Sequence, residues 1–274
     1  MGWTSGDGPM PMVFFGHGSP TVAIEDTDVT RAWRTMADTL GRPEAILAIS
    51  AHWTTRGTAV TAMERPKTIH DFGAFPQALF DIRYPAPGRP SLAARVAELL
   101  APDPVILDQG QWGLDHGTWT VLTKAYPDAD IPVVQLSLDA GLAPAGRFEI
   151  GRRLGALRDE GVLIMGTGNV VHNLGVMDWD GRHADPYPWA QRFNAHVRAA
   201  IEGDAPEGLV DFQAQGQDAA LSLPSAEHYW PLLYVMGARR PTDRVRIGPE
   251  HIEYRSVSML SAILDSRADQ RAAA

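Results

Sequence analysis

The sequence predicts an α/β fold: a single domain over residues 1–274, its core at about 12–260, with a central, largely parallel or mixed sheet and helices on both faces. Three observations predict it. Short apolar runs of strand length recur along the chain, helical periodicity fills the intervals between them, and several runs end on a histidine beside Gly or Ser. Continuous apolar runs suit strands buried on both faces, and open α/β sheets place ligands at the carboxyl ends of such strands.

The elements follow in order. Residues 13–16 form the first apolar run, ending at Gly16-His17-Gly18-Ser19-Pro20. Val29, Trp33, Met36 and Leu40 mark one face of a helix that Gly41 closes. A second strand over 45–50 carries His52 just past its end, and 59–63 is a further short strand. Residues 64–90 are irregular, with Pro66, Pro76, Pro85, Pro87 and Pro90 among the aromatics Phe72, Phe75, Phe80 and Tyr84, as expected of a functional loop or lid. Ser91 is the expected N-cap of a helix reaching Leu100, and 105–107 reads as a strand. Asp115-His116-Gly117 then opens a helix to Tyr126.

Residues 131–138 are strand-like, 145–160 helical up to Gly161, and 162–165 another buried strand, whose continuation delivers His172. After an irregular piece at 178–188, Trp189, Phe193, Val197 and Ile201 mark a helix face. Ser225 is the expected cap of a helix beginning Ala226-Glu227-His228, which Pro231 either kinks or delays. A closing strand is expected within 252–259 and a frayed tail over 265–274.

Composition narrows the function. With 24 basic against 33 acidic residues the formal charge is −9, which disfavours nucleic acid and anionic membrane as partners. The absence of cysteine rules out disulfides, thiolate nucleophiles, iron–sulfur clusters and Cys-type zinc sites, so any metal must use nitrogen and oxygen ligands. The first ten residues do not read as a signal peptide, and no window approaches the ~20 apolar residues of a membrane span, so a cytoplasmic protein is expected.

Of nine histidines, His70, His183, His196 and His251 read as surface or structural residues, His196 facing water. His17, His52, His172 and His228 differ in context: three follow apolar strands and the fourth sits at an expected helix start. Imidazoles with or without one carboxylate suit first-row divalent metals, and Glu227 and His228 compete for the third ligand position, since neighbours on a helix point about 100° apart. An all-histidine set also fits zinc. Gly16 and Gly18 are expected to let the backbone turn closely around the metal. Gly166-Thr167-Gly168-Asn169 lacks the spacing of a phosphate loop and reads as a turn positioning His172, with Asn169 as a polar contact; no nucleophile elbow surrounds Ser19.

In order along the chain stand Gly16-His17-Gly18-Ser19-Pro20, Ser50-Ala51-His52-Trp53, Ile69-His70-Asp71-Phe72-Gly73, Asp115-His116-Gly117, Gly168-Asn169-Val170-Val171-His172-Asn173 and Glu227-His228-Tyr229. This series resembles the 4,5-DOPA extradiol dioxygenase family, within the class III extradiol ring-opening dioxygenases related to the protocatechuate 4,5-dioxygenase catalytic subunit. The resemblance runs from about Met12 to Leu260. It implies a non-haem metal held by His17, His52 and His228, with His172 either a further ligand or an acid/base, and His116 and His70 as other active-site histidines. It further implies Fe2+ for activity, with Zn2+ able to occupy the same site, and a catechol such as L-DOPA and O2 as partners, opened to a semialdehyde acid. His172 is the first choice for proton transfer and His116 the second; Arg83 or Lys67 would meet a substrate carboxylate. A zinc-dependent hydrolase built on the same histidines, or a metal-binding protein without chemistry, are the alternatives.

Overall fold

The computed structural model describes residues 3, 8–203 and 205–266. Its ten strands are β1 Met12–Gly16, β2 Ala45–Thr55, β3 Thr58–Thr61, β4 Val105–Asp108, β5 Val133–Asp139, β6 Val162–Gly168, β7 Arg244–Ile247, β8 Ile252–Glu253, β9 Val257–Ser258 and β10 Ala262–Asp265. Eight of them form one mixed sheet in the order β4-β3-β5-β2-β6-β1-β10-β7, and β8 and β9 form a separate two-stranded ladder. The four central strands β5, β2, β6 and β1 are mutually parallel, so their carboxyl ends share one edge. Towards the margins β3 runs antiparallel to β5, β10 to β1 and β7 to β10.

The alternation of side chains along the strands builds two cores. Met12 and Phe14 of β1, with Leu47 and Ile49 of β2, pack with the helices Pro144–Leu154, Pro188–Glu202 and Trp230–Gly237 on one face. Val13 and Phe15, with Ile46 and Ala48, pack with the helices Asp28–Leu40 and His116–Ala125 on the other. The Asp28–Leu40 helix buries Val29, Trp33, Met36 and Leu40 as its periodicity requires, and Thr27 and Thr30 close a reciprocal capping box at its start.

Several boundaries differ from the sequence expectation, each for a physical reason. Pro90, not Ser91, begins the next helix: its fixed φ and missing N–H suit the first turn, and Arg89 takes the cap position. Gly161, in the left-handed region at φ 74°, does end the segment begun at Pro144, but its last six residues, Gly155–Glu160, wind as a 3-10 helix. Pro231 delays the helix start to Trp230, which leaves Glu227 and His228 in the preceding turn. The expected strand over 252–259 is instead the β8–β9 ladder around Tyr254 and Arg255, both at positive φ, and the strand that closes the sheet is β10. Asp265, expected to open a frayed tail, is buried in β10; the rest of that tail beyond Ser266 lies outside the described residues. The irregular stretch 64–90 stays irregular apart from the turn of helix Gln77–Phe80. No helix among the described residues is long and apolar enough to cross a membrane.

Candidate active site

The shared carboxyl edge of β1, β2 and β6 brings the histidines together. His17 follows β1 directly, and its backbone N–H bonds the Gly168 carbonyl at the end of β6, 3.0 Å away. β2 does not end at Ser50 as expected but continues to Thr55, and its pairing with β5 is irregular between Ile49 and Thr54. His52 sits inside that irregularity, which turns its side chain out of the regular ladder. His228 arrives on the turn before the Trp230–Gly237 helix, its backbone pressed so close to Gly168 that a Cβ there would collide with the His228 carbonyl oxygen. Gly16 is likewise demanded by close approach, there to the backbone of Met259 and Leu260.

One nitrogen each from His17, His52 and His228 lies within 4.8 Å of the others. His17 is 2 % exposed and His228 6 %. The Thr167 hydroxyl donates to the Gly117 carbonyl at 2.8 Å, so at 2.9 Å from His17 Nδ1 it must accept. That fixes the proton on Nδ1 and leaves the Nε2 lone pair free, aimed at His52 Nε2 3.3 Å away. His228 Nδ1 is buried with no hydrogen-bond partner. Three converging imidazoles, one with its tautomer set and one with an orphaned nitrogen, fit a divalent metal and its preference for nitrogen donors. A His17 proton held by a neighbouring hydroxyl is the arrangement expected around a metal-ligating imidazole.

Electrostatics agree. Burial, then the mutual repulsion of the cluster, holds His17 and His228 well below the ordinary histidine value, and burial followed by His116 does the same for His52. All three are neutral near neutrality, the form a ligand requires. In the metal-free protein the sign follows directly. Unfolded imidazoles take up protons as pH falls below 6.5, whereas the folded ones stay neutral, down to about 4 for His172. The folded state therefore binds fewer protons, and stability is lost as pH drops through that window. The melting temperature of the metal-free protein is expected to fall steadily between about pH 7 and about pH 5. A flat profile in calorimetry would contradict the buried neutral cluster.

His172 is not part of the trio. It stacks on His228 with ring centroids 3.5 Å apart and planes 7° apart, and burial pushes it down to about 4. The His116 ring lies against that of His52, tilted by 43° with centroids 3.8 Å apart. His116 is the first residue of its helix, N-capped by Asp115, whose Oδ1 accepts from the Thr118 N–H. The free N–H of His116 is capped from across the chain: Asp71 Oδ1 accepts it at 3.0 Å and lies 2.9 Å from His116 Nδ1. Asp71 Oδ2 lies 3.8 Å from His52 Nδ1. Burial works against the Asp71 carboxylate, but the His116 side chain and N–H more than offset it and hold the group below the usual carboxylate range.

Sequence reasoning missed Asp71, although it stands within Ile69-His70-Asp71-Phe72-Gly73. Its neighbour His70, expected by resemblance in the site, bonds the Ile82 carbonyl at 3.1 Å and packs against Phe72, Phe80 and Trp119. His196 faces water only in part: it is half-buried with Nε2 3.2 Å from the Gly208 carbonyl. Glu227 is bonded to Ser225 Oγ at 2.7 Å, its Oε1 lies 3.7 Å from His228 Nδ1, and it stands outside the group formed by His17, His52 and His228. Asn169 donates to the Ser258 carbonyl and does not line the cavity. Arg83 is held on the Phe80 and Ile82 carbonyls and Lys67 on that of Gly110, and neither lines the cavity.

Above the histidines lies a cavity of about 240 Å³, bordered by Phe72 and Phe75 of the irregular 64–90 stretch and by Met177, Trp179 and Tyr254. An α/β fold with a histidine-lined pocket at the carboxyl edge of parallel strands defines a non-haem metalloenzyme of small molecules. Residues 11–265 match the family model described as the catalytic LigB subunit of aromatic ring-opening dioxygenase, and the chain belongs to that family. It is 54 % identical over 255 residues to a 4,5-DOPA dioxygenase extradiol of Escherichia coli K12, covering 92 % of this chain and 93 % of that one. A 4,5-DOPA dioxygenase extradiol of Beta vulgaris is 37 % identical over 85 % of this chain and 88 % of its own. A crystal structure of an uncharacterised protein from Escherichia coli K12 superposes with a TM-score of 0.81 at 49 % identity, covering 93 % of this chain and all of that one. The protein is thus an extradiol ring-cleavage dioxygenase using a non-haem metal, which displaces the hydrolase and non-catalytic readings.

Proposed function

We propose that the chain binds Fe2+ through His17, His52 and His228 and opens catechol rings with O2 to a semialdehyde acid, with L-DOPA the first substrate to assay because relatives carry that name. The observation that carries the proposal is the convergence of three neutral imidazoles at the base of a cavity of catechol scale. Held by these three imidazoles, Fe2+ would supply Lewis acidity towards the catechol hydroxyls and a redox centre for dioxygen. Overall the ring carbon–carbon bond beside the diol breaks, and both oxygen atoms of O2 enter the product.

The protein's own groups do the rest. His172, neutral because it is buried, can accept a proton from a bound catechol hydroxyl and later return it to the opening ring. His116 lines the same cavity and is held by Asp71, which makes it the second proton carrier. Phe72 and Phe75 limit water access to the reacting ring. Zn2+ fits the same ligands and would hold the geometry without supporting oxygen chemistry. The test is anaerobic reconstitution with Fe2+ or Zn2+, addition of a catechol, then air: oxygen uptake with a yellow product is expected with Fe2+ alone. Uptake with neither metal would refute the reading.

Asp71 holds His116 through Oδ1 at 2.9 Å and places the charge of Oδ2 3.8 Å from His52 Nδ1. Asp71→Asn keeps the shape but removes the charge, and is expected to cut metal affinity or activity by roughly 10- to 100-fold, as loss of an outer partner does elsewhere. Metal titration with a chelator as competitor checks it; unaltered affinity together with unaltered turnover would remove the role.

A further inference from the structure

Three walls of the cavity meet at one guanidinium. Met177 and Trp179 stand on the segment 173–187, and Tyr254 stands on the turn between β8 and β9. The third wall, His17 to Pro20, runs on through the 3-10 helix Pro20–Ala23 to Glu25. Arg182 Nη1 lies 2.7 Å from Glu25 Oε2, and Arg182 Nε lies 3.1 Å from Oε2 of Glu253, the neighbour of Tyr254. The guanidinium carbon stands 5.7 Å from the centre of the Tyr254 ring. Nη2 is buried without a partner, so both ties run through Nη1 and Nε. The backbone makes the same connection: the Asp178 N–H donates to the Tyr254 carbonyl at 3.2 Å, the Tyr254 N–H to the Arg182 carbonyl at 3.0 Å, and the Tyr187 N–H to the Arg255 carbonyl at 3.1 Å. Lys124 Nζ, from the His116–Ala125 helix, fixes the Glu25 carbonyl at 2.7 Å.

What these ties hold is strained and open to water. Tyr254 and Arg255 sit at φ 50° and 66°, a region that side chains disfavour and that survives only where the surrounding structure imposes it. Trp179 is 65 % exposed, and its ring centroid is 6.1 Å from that of Tyr254, so packing alone does little to fix this outer wall. Glu253, in contrast, is 2 % exposed. Burial works against its carboxylate, but His251 and Arg182 more than offset that and keep it charged. A carboxylate so deeply placed needs its cation, which keeps Arg182 from swinging out.

We propose that Arg182 is a positioning residue for ring opening: by tying Glu25 to Glu253 it holds the Tyr254–Arg255 turn and Trp179 in place as the outer wall of the catechol pocket. The proposal rests on the ring-opening reading above. A wall already in place costs the substrate nothing to order, so the residue acts on binding. Once released, a wall formed about one-tenth of the time lowers apparent affinity about tenfold.

The test is Arg182→Gln in the Fe2+-loaded enzyme, with L-DOPA and with unsubstituted catechol. KM is expected to rise about tenfold for both, while kcat and iron content stay within about twofold. A merely structural role would lower the melting temperature and leave KM unmoved. Arg182→Lys, whose ammonium can meet one carboxylate but not both in this geometry, should recover part of the loss. Glu25→Gln cuts one tie, leaves Glu253 paired, and should raise KM about threefold. Hydrogen exchange reads the wall without any chemistry: peptides carrying the Asp178 and Tyr254 amides should exchange about tenfold faster in Arg182→Gln, and those covering β1 and β6 at the wild-type rate. A folded Arg182→Gln with unchanged KM, a loss confined to kcat and iron content, or unmoved exchange at Asp178 and Tyr254 overturns the proposal. Should Arg182→Gln fail to fold, Glu25→Gln decides, and KM and exchange at the wild-type level overturn it. No turnover of either catechol by the wild type refutes the ring-opening reading instead, and the exchange measurement then decides on Arg182 by itself.

Discussion

His17→Ala is expected to fold and to lose its metal. The side chain is one of three converging nitrogen donors, and its partner Thr167 keeps its own bond to the Gly117 carbonyl after the truncation, so the strand edge survives. Two imidazoles remain, and the loss must exceed the roughly 10- to 100-fold that removal of an outer-shell partner costs. Circular dichroism should be unchanged while Fe2+ or Zn2+ affinity collapses and ring opening falls below detection. Full metal occupancy in the folded variant would place the site elsewhere.

His172→Ala is the second large effect, and it separates two roles. As a proton carrier His172 contributes about 10²- to 10⁴-fold to turnover, with KM and metal content little altered. As a fourth ligand, its loss would lower metal content in step with activity. The geometry favours the first outcome: His172 stacks face to face on His228 and stands outside the group of three nitrogens. Metal analysis beside steady-state kinetics on one preparation decides it, and turnover at the wild-type level would exclude both roles.

Much of this site is legible in the sequence because buried parallel strands write themselves as apolar runs. β1 and β6 are such runs, each followed by the residues that carry histidines, and the apolar start of β2 points to His52, although the strand runs on past it to Thr55. Two strands are not legible. Arg244–Ile247 and Ala262–Asp265 span four residues each, too few for periodicity to separate strand from loop or core helix. Asp71 is invisible for a different reason: it lies in an irregular stretch, and its role comes from the tertiary approach of that stretch to the first turn of the His116–Ala125 helix. The choice between Glu227 and His228 also needed the structure, because Pro231 moves both residues off the helix on which their directions were compared.

The central claim is that both atoms of dioxygen enter a ring-opened product. With the Fe2+-loaded enzyme, a catechol and ¹⁸O2, mass spectrometry of the yellow semialdehyde acid is expected to show incorporation from gas into both the new carboxylate and the new aldehyde, the latter trapped before it exchanges with water. Oxygen consumed with hydrogen peroxide released and a quinone formed, or label entering only from water, would contradict the account.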